Sequence, residues 1–183
     1  MTPTKITTIE ICPSTNVRST QGDRWLFSVS DEYLQKYDER RMELQGKKGR
    51  NVTRKRQLDR YNCFKEEMRL LALKQRFEMP LGYFAVWFYV PYPKSWRKDK
   101  IAENLYKPHQ STPDWDNYAK AMFDALMPRK SKVRGQKGCD DRRIHSGAIF
   151  KVWVKPEEAC IKILEYDCSE FMEVFKHGHP SFL

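Results

Sequence analysis

The chain has 183 residues, 40% of them hydrophobic, which predicts one folded domain with a buried core. Its 34 lysines and arginines outnumber its 24 aspartates and glutamates, so the net charge of +10 favours a polyanionic partner: DNA, RNA or an anionic membrane surface. No segment approaches the roughly 18 apolar residues of a membrane span, and the first residues lack the apolar core of a signal peptide. Five cysteines without a C-x-x-C pair predict reduced thiols, and therefore a cytoplasmic protein.

The first part of the chain predicts one strand and two helices. Alternating isoleucines favour a strand over Lys5–Cys12, and the polar segment Arg18–Trp25 is expected to be a loop. Asp31–Leu44 has the capping residues and periodicity of a helix, and a longer helix with a broad apolar face is predicted over Leu58–Phe77. Between these helices, the basic residues of 45–56 indicate a mobile loop.

The second part of the chain supplies the rest of the sheet. Leu81–Val90 is apolar at both odd and even positions, which is typical of a central strand, and Lys94–Asn104 resembles a short basic helix. Gly147–Val154 and Cys160–Tyr166 are predicted strands joined by a hairpin turn, and the polar tail after about residue 176 is expected to fray. The elements together predict a single α+β domain over the whole chain, with a mixed sheet of about four strands packed with helices.

The most informative stretch is residues 113–126, Pro-Asp-Trp-Asp-Asn-Tyr-Ala-Lys-Ala-Met-Phe-Asp-Ala-Leu. Its later part predicts a helix, because apolar residues recur at i, i+4, i+7 and i+8 from Tyr118. On another face, Asp116, Lys120 and Asp124 fall one turn apart. The spacing alone is compatible with an ordinary N-capped amphipathic helix that carries a Lys120–Asp124 surface pair.

Two pairs of aspartates, one in this stretch and one after it, suggest a second interpretation. Asp114 and Asp116 fall at the start of the predicted helix, and Asp140 and Asp141 precede the next apolar run. Like charges held together repel unless a proton or a cation neutralises them, and hard oxygen ligands suit Mg²⁺ or Mn²⁺. With Lys120 available to neutralise a phosphate, the set fits metal-assisted phosphodiester hydrolysis.

The pattern P-D-x-D-N-x-x-K-A-x-x-D-A-L, followed by a linker and D-D-x-x-I, resembles the core of the RusA-type Holliday junction resolvases. These are endodeoxyribonucleases common in phages and prophages. Residues 18–25, 91–96 and 107–110 are similar to a phage-borne branch of that family, so the resemblance covers much of the region from Ile9 to Val154.

The resemblance implies both a site and a reaction. By the family's pattern, Asp114, Asp116 and Asp141 are metal ligands, Lys120 is a catalytic residue, and Asn117 and Asp140 support them. It implies a RusA-like fold, a homodimer, Mg²⁺ as cofactor with Mn²⁺ as a substitute, and paired hydrolysis of phosphodiesters in a four-way junction or other branched DNA. The expected setting is the cytoplasm of a bacterium or a phage-infected host, with no membrane partner.

Basic residues around this core are expected to contact the DNA backbone. Some belong to segments that resemble the family, some to the short basic helix, and some to the basic linker of residues 128–139, which is expected to be mobile. The candidates are Arg18, Arg24, Lys94, Arg97, Lys98, Lys100, Lys107, His109, Arg129, Lys130, Lys132 and Arg134.

Two other functions remain open at this point. A non-catalytic basic DNA-binding protein of the same fold would bind junctions without a metal and without nicking them. A nucleotide-sugar transferase would use Asp114 and Asp116 as a D-x-D motif that holds a metal–diphosphate. The short chain, the missing nucleotide-binding βαβ pattern and the excess of positive charge argue against the transferase.

Overall fold

A computed structural model describes residues 2–15, 17, 21–46, 49–127 and 141–167, with only the backbone described for Gln21, Gly22 and Asp141. The predictions at Arg18, Arg129, Lys130, Lys132, Arg134, Asp140 and the C-terminal tail lie outside the described residues. The chain divides into two compact units, one of residues 1–15 and 65–183 and one of residues 16–64.

The described residues contain four strands, four α-helices and three short 3-10 helices. The strands are β1 (Lys5–Ile9), β2 (Phe84–Pro91), β3 (Gly147–Val154) and β4 (Cys160–Glu165). The α-helices are α1 (Asp31–Gln45), α2 (Asn51–Lys74), α3 (Lys98–Asn104) and α4 (Trp115–Leu126), and the 3-10 helices are Gln21–Ser28, Asp141–Arg143 and Pro156–Glu158. This set confirms the predicted α+β class with a mixed sheet of four strands.

The sheet has the strand order β1-β4-β2-β3. β2 runs parallel to β3 and antiparallel to β4, and β4 runs antiparallel to β1. The side chains from Phe84 to Phe88 are all buried, on both faces of the sheet. The prediction that this segment forms a central strand is therefore confirmed.

The predicted hairpin between β3 and β4 is wrong. A short 3-10 helix turns the chain between them, but the two strands pair with opposite edges of β2: Phe84 faces Gly147 on one side and Glu165 on the other. A buried strand has backbone N–H and C=O groups along both edges, and each group needs a partner. β2 obtains those partners from β3 on one edge and β4 on the other, and β3 is left at the edge of the sheet.

In the unit of residues 16–64, part of the predicted basic loop over residues 45–56 is helical, because α2 begins at Asn51. The carboxylate of Asp38 accepts hydrogen bonds from the backbone N–H groups of Asn51 (2.9 Å) and Val52 (3.4 Å). It also accepts one from the Asn51 side-chain amide at 2.7 Å. Such bonds satisfy N–H groups that the first turn of a helix leaves without partners. The residue that caps α2 lies on α1, so the sequence around Asn51 does not reveal where α2 begins.

Two ion pairs hold the first turns of α2 in the same unit. The guanidinium of Arg54 donates to both carboxylate oxygens of Asp23, at 3.0 and 3.1 Å, and Lys55 lies 2.8 Å from Asp31. Asp23 is buried and belongs to the 3-10 helix Gln21–Ser28, where the sequence predicted a loop. Two of the basic residues predicted to be mobile are therefore held by carboxylates of their own unit.

In the other unit, helix α4 packs its predicted apolar stripe against the interior. Tyr118, Met122 and Ala125 are at most 4% exposed, and the rings of Tyr118 and Phe88 lie 5.5 Å apart. Near the C-terminal end of α4, Arg69 donates to two backbone carbonyls, at 2.8 and 3.0 Å. These contacts fix the helix whose first turn carries the candidate site. Within the described ranges, no helix combines the length and apolarity needed to cross a membrane.

Candidate active site

Two exposed carboxylates mark the start of helix α4. Asp114 is the N-cap residue, with φ −67° and ψ 157°, and Asp116 lies in the first turn. The Asp114 side chain makes no capping hydrogen bond. Among the described residues, neither carboxylate has a hydrogen bond or a salt bridge. The carboxylate pair, Asp114 and Asp116, is thus available to an external ligand. In a plain helix cap, the Asp114 carboxylate would instead accept a hydrogen bond from a backbone N–H group.

Lys151 of strand β3 lies beside the carboxylate pair. Its ammonium group donates to the backbone carbonyls of Ser111 at 2.8 Å and Pro113 at 2.7 Å. Partial burial lowers the pKa of Lys151, and the negative charges of Asp114 and Asp116 oppose that shift. Lys151 therefore fastens the segment that leads into α4 and adds a positive charge next to two negative ones.

Lys151 was not among the residues predicted for the site. Its only local sign is that it is the one charged residue in the strand Gly-Ala-Ile-Phe-Lys-Val-Trp-Val. A charge in a strand of this kind needs a partner when the strand is buried. The partners lie 38 and 40 residues earlier in the chain. The sequence of β3 therefore indicates that Lys151 needs a partner, but not which groups it binds.

A cavity of about 590 Å³ lies at the carboxylate pair. It is lined by His109, Gln110, Ser111, Thr112, Asp114, Trp115, Asp116 and Lys151. This acidic cavity places two carboxylates, one ammonium group and several hydroxyl and amide groups around one space. Its volume lies within the range typical of ligand sites.

Lys120 lies one turn along α4 from Asp116, as predicted. Its ammonium group is 3.2 Å from the carboxylate of Asp124, and the two side chains are 45% and 38% exposed. An exposed i,i+4 pair of this kind contributes only about 0.3–0.5 kcal/mol. Lys120 can therefore leave Asp124 for a phosphate at little cost.

The structure describes only some of the remaining predicted site residues in full. Asn117 is half-buried, and its backbone N–H donates to the Asp114 carbonyl at 3.2 Å. Asp141 begins a 3-10 helix, but its carboxylate is not described, and Asp140 lies outside the described residues. Among the side chains that are described, no group of three Asp, Glu, His or Cys is placed to hold a metal ion. The assignment of three ligands therefore stays a prediction.

Most of the described candidates for DNA contact are exposed. They are Arg24, Lys94, Arg97, Lys98, Lys100 and Lys107. Helix α3 begins at Lys98, not at Lys94 as predicted, because the Pro93 carbonyl accepts the N–H of Trp96 at 3.0 Å and forms a turn there. The ammonium group of Lys100 lies 4.7 Å from the centre of the Trp96 ring. Five of the six candidates thus lie between residues 94 and 107, just before the carboxylate pair.

His109 is the exception, because it is 3% exposed. Its ring stacks on Trp153 with 3.8 Å between ring centroids, and its Nδ1 atom is buried with no hydrogen-bond partner in the described part of the chain. Burial, helped by the charge of Lys151, lowers the pKa of His109 to about 4. At neutral pH the imidazole can offer a ligand a hydrogen bond but no charge.

This burial gives a test in solution. We expect the His109 imidazole to titrate near pH 4 in an NMR experiment, far below its ordinary value of 6.5. The unfolded chain takes up this proton first, so the free energy of unfolding should fall as the pH drops from 6.5 towards 4. Replacing His109 by asparagine should remove the low-pH resonance and flatten that dependence. A titration midpoint near 6.5 would show that the ring is open to water.

Comparison with known proteins identifies one family. A family model described as "Endodeoxyribonuclease RusA" matches residues 38–163. That span covers more than half of the chain and contains the carboxylate pair, Lys120, Asp141 and Lys151. The curated proteins and the solved structures gave no match.

Proposed function

The chain belongs to the RusA endodeoxyribonuclease family, and we propose that it is a divalent-metal-dependent enzyme that resolves Holliday junctions or other branched DNA. The observation that carries this proposal is the carboxylate pair at the start of α4, unpaired among the described residues and adjacent to Lys151. These residues lie inside the span that the family model matches.

The donor atoms present fit a hard divalent cation. Asp114 and Asp116 offer exposed carboxylates, and Asp141 follows in the matched span as the third proposed ligand. Mg²⁺ prefers such oxygens, and Mn²⁺ accepts the same set. A bound ion would supply Lewis acidity at the phosphate and a lowered pKa for water. Binding it breaks no described hydrogen bond of the pair.

The protein's own residues would prepare the substrate. Lys120 would neutralise negative charge on the phosphate, since its present pair with Asp124 is weak. Lys151 would keep the approach to α4 in place through its bonds to Ser111 and Pro113.

Exposed basic residues would hold the DNA backbone without reading its sequence. Replacing Lys94, Arg97, Lys98 and Lys100 together by glutamine should weaken junction binding and flatten its salt dependence. Each lost phosphate contact should lower the slope of log K against log salt by about 0.9 on duplex DNA. A titration at several salt concentrations measures this slope.

A matched variant controls for the loss of total charge. Lys36, Arg40, Arg41 and Lys74 are also exposed, and changing them to glutamine removes the same number of charges. We expect a clearly smaller change of slope from this variant. Equal slopes for the two variants would show that the segment before the carboxylate pair has no special role.

Paired cleavage requires two active sites, because a four-way junction has approximate two-fold symmetry. A homodimer with an isologous interface presents two identical sites to it. A supercoiled plasmid with an extruded cruciform tests this: paired cuts within one binding event release linear DNA, whereas independent cuts first accumulate nicked circles. We expect linear product from the outset and a dimer by light scattering. Nicked circles as the first product, from a monomer, would contradict paired cleavage.

A further inference from the structure

A second cavity, of about 420 Å³, adjoins the acidic cavity. The two cavities share His109, Trp115 and Lys151. The rest of the second lining is largely apolar and includes the rings of Trp87 and Phe150. We call it the aromatic cavity. An apolar space directly beside the proposed phosphate site matches the two chemically different parts of a nucleotide.

The walls of the aromatic cavity are fixed by regular structure. The rings of Trp87 and Phe150 stack at 4.4 Å with 17° between their planes. Another part of the lining, residues 106–109, pairs with the outer edge of β3 through the backbone N–H groups of Tyr106 (2.8 Å) and His109 (2.9 Å). A cavity built on a sheet in this way exists before a ligand arrives, so little ordering is needed on binding.

Trp115 stands where the two cavities meet. It separates Asp114 from Asp116 in the sequence, and its side chain is 55% exposed although it is large and apolar. Aromatic side chains exposed next to phosphate-binding groups are the platforms on which single nucleobases stack.

We propose that the aromatic cavity receives an unpaired nucleobase of the junction, from a nucleotide that flanks the scissile phosphate, and that this base stacks on Trp115. The inference rests on the proposed function, because branched DNA that the exposed basic residues hold at this site is what brings the base to this place. Bases at a branch point are less costly to unpair and unstack than bases inside a duplex. Branched DNA can therefore fill this cavity more easily than linear duplex DNA can.

The test combines a protein change with a DNA change. The first step maps the cut in a synthetic four-way junction, and the second prepares junctions with a single abasic site on either side of it. Binding is measured in EDTA, so that no strand is cut. We expect Trp115→Ala to raise the Kd for the intact junction by roughly 5- to 150-fold, the range seen when one base loses its aromatic platform.

The decisive result is the coupling between the two changes. An abasic site in the flanking position should raise the Kd of the wild-type protein by a similar factor, and adding Trp115→Ala should then cost little more. Trp115→Phe keeps an aromatic face and should restore most of the binding. Trp25→Ala removes another exposed tryptophan, on the unit of residues 16–64, and should leave the Kd nearly unchanged.

Three outcomes would overturn the inference while the proposed function stands. They are fully additive losses from the two changes, a Trp115→Ala Kd equal to that of Trp25→Ala, and a change in the protein's oligomeric state on Trp115→Ala. The last would show that a second copy of the chain covers the cavity. A wild-type protein that neither binds nor cuts four-way junctions would overturn the proposed function together with this inference.

Discussion

Replacing Asp116 by asparagine is expected to reduce junction cleavage several hundredfold or more while junction binding survives. The change keeps the size of the side chain and removes one negative charge from the carboxylate pair. If Asp116 is a metal ligand, the lost stabilisation is worth several kcal/mol, and each ~1.4 kcal/mol is a factor of ten in rate. Binding should persist or tighten, because one charge that repels phosphates is gone.

Asp99→Asn is the matched control for this variant. Asp99 is also an exposed aspartate in the first turn of a helix of the same unit, α3, so the change alters the helix terminus in the same way. We expect near-normal cutting from it. If Asp116 served only its helix, both variants would lose at most about 1 kcal/mol of stability and keep their activity. Near-normal cutting by a folded Asp116→Asn protein would refute the metal-site assignment.

Replacing Lys120 by alanine is the second change from which we expect a large loss of cleavage. The variant would lose the positive charge that is proposed to act on the phosphate, but the carboxylates that are proposed to bind the ion would stay. Single-turnover rates should therefore fall at all Mg²⁺ concentrations, and the concentration that gives half of the remaining rate should change little. For Asp116→Asn, that concentration should rise.

Asp124→Ala separates this role from a structural one. Asp124 is the partner of Lys120 in the surface pair, and its loss breaks the same ion pair from the other side. We expect this variant to cut junctions nearly as well as the wild type. If the ion pair itself were what mattered, Lys120→Ala and Asp124→Ala would lose cleavage equally, and the catalytic role of Lys120 would be wrong.

Local patterns predicted the elements of this fold better than their pairing. The central position of β2 followed from its apolar side chains on both faces, because only a strand covered on both sides has that composition. The false hairpin between β3 and β4 came from their closeness in sequence, whereas the demand of β2 for partners on both edges decided the order. The early start of α2 depends on Asp38, thirteen residues away on another helix.

The candidate site likewise has one part that the local sequence predicted and one part that it did not. The helical period and the D-x-D-N spacing were enough to place Asp114 and Asp116 together at the start of α4, since residues so near in sequence share one turn. Lys151 joins them through the packing of β3 against the segment before α4, which spacing does not encode. The aromatic cavity likewise combines residues from β2, β3 and the segments before and at the start of α4. Chemistry carried by one segment was predictable, and chemistry assembled from several was not.

The most direct measurement follows a labelled synthetic four-way junction and a linear duplex of equal length, each incubated with the protein in Mg²⁺ and in EDTA. We predict two symmetric cuts in the junction with Mg²⁺, an intact duplex, and binding without cuts in EDTA. Cutting at an undiminished rate in EDTA would contradict metal dependence. Junction binding without any cut in Mg²⁺ or Mn²⁺ would contradict the central claim, and the chain would then be a DNA-binding protein that has kept the RusA fold without its reaction.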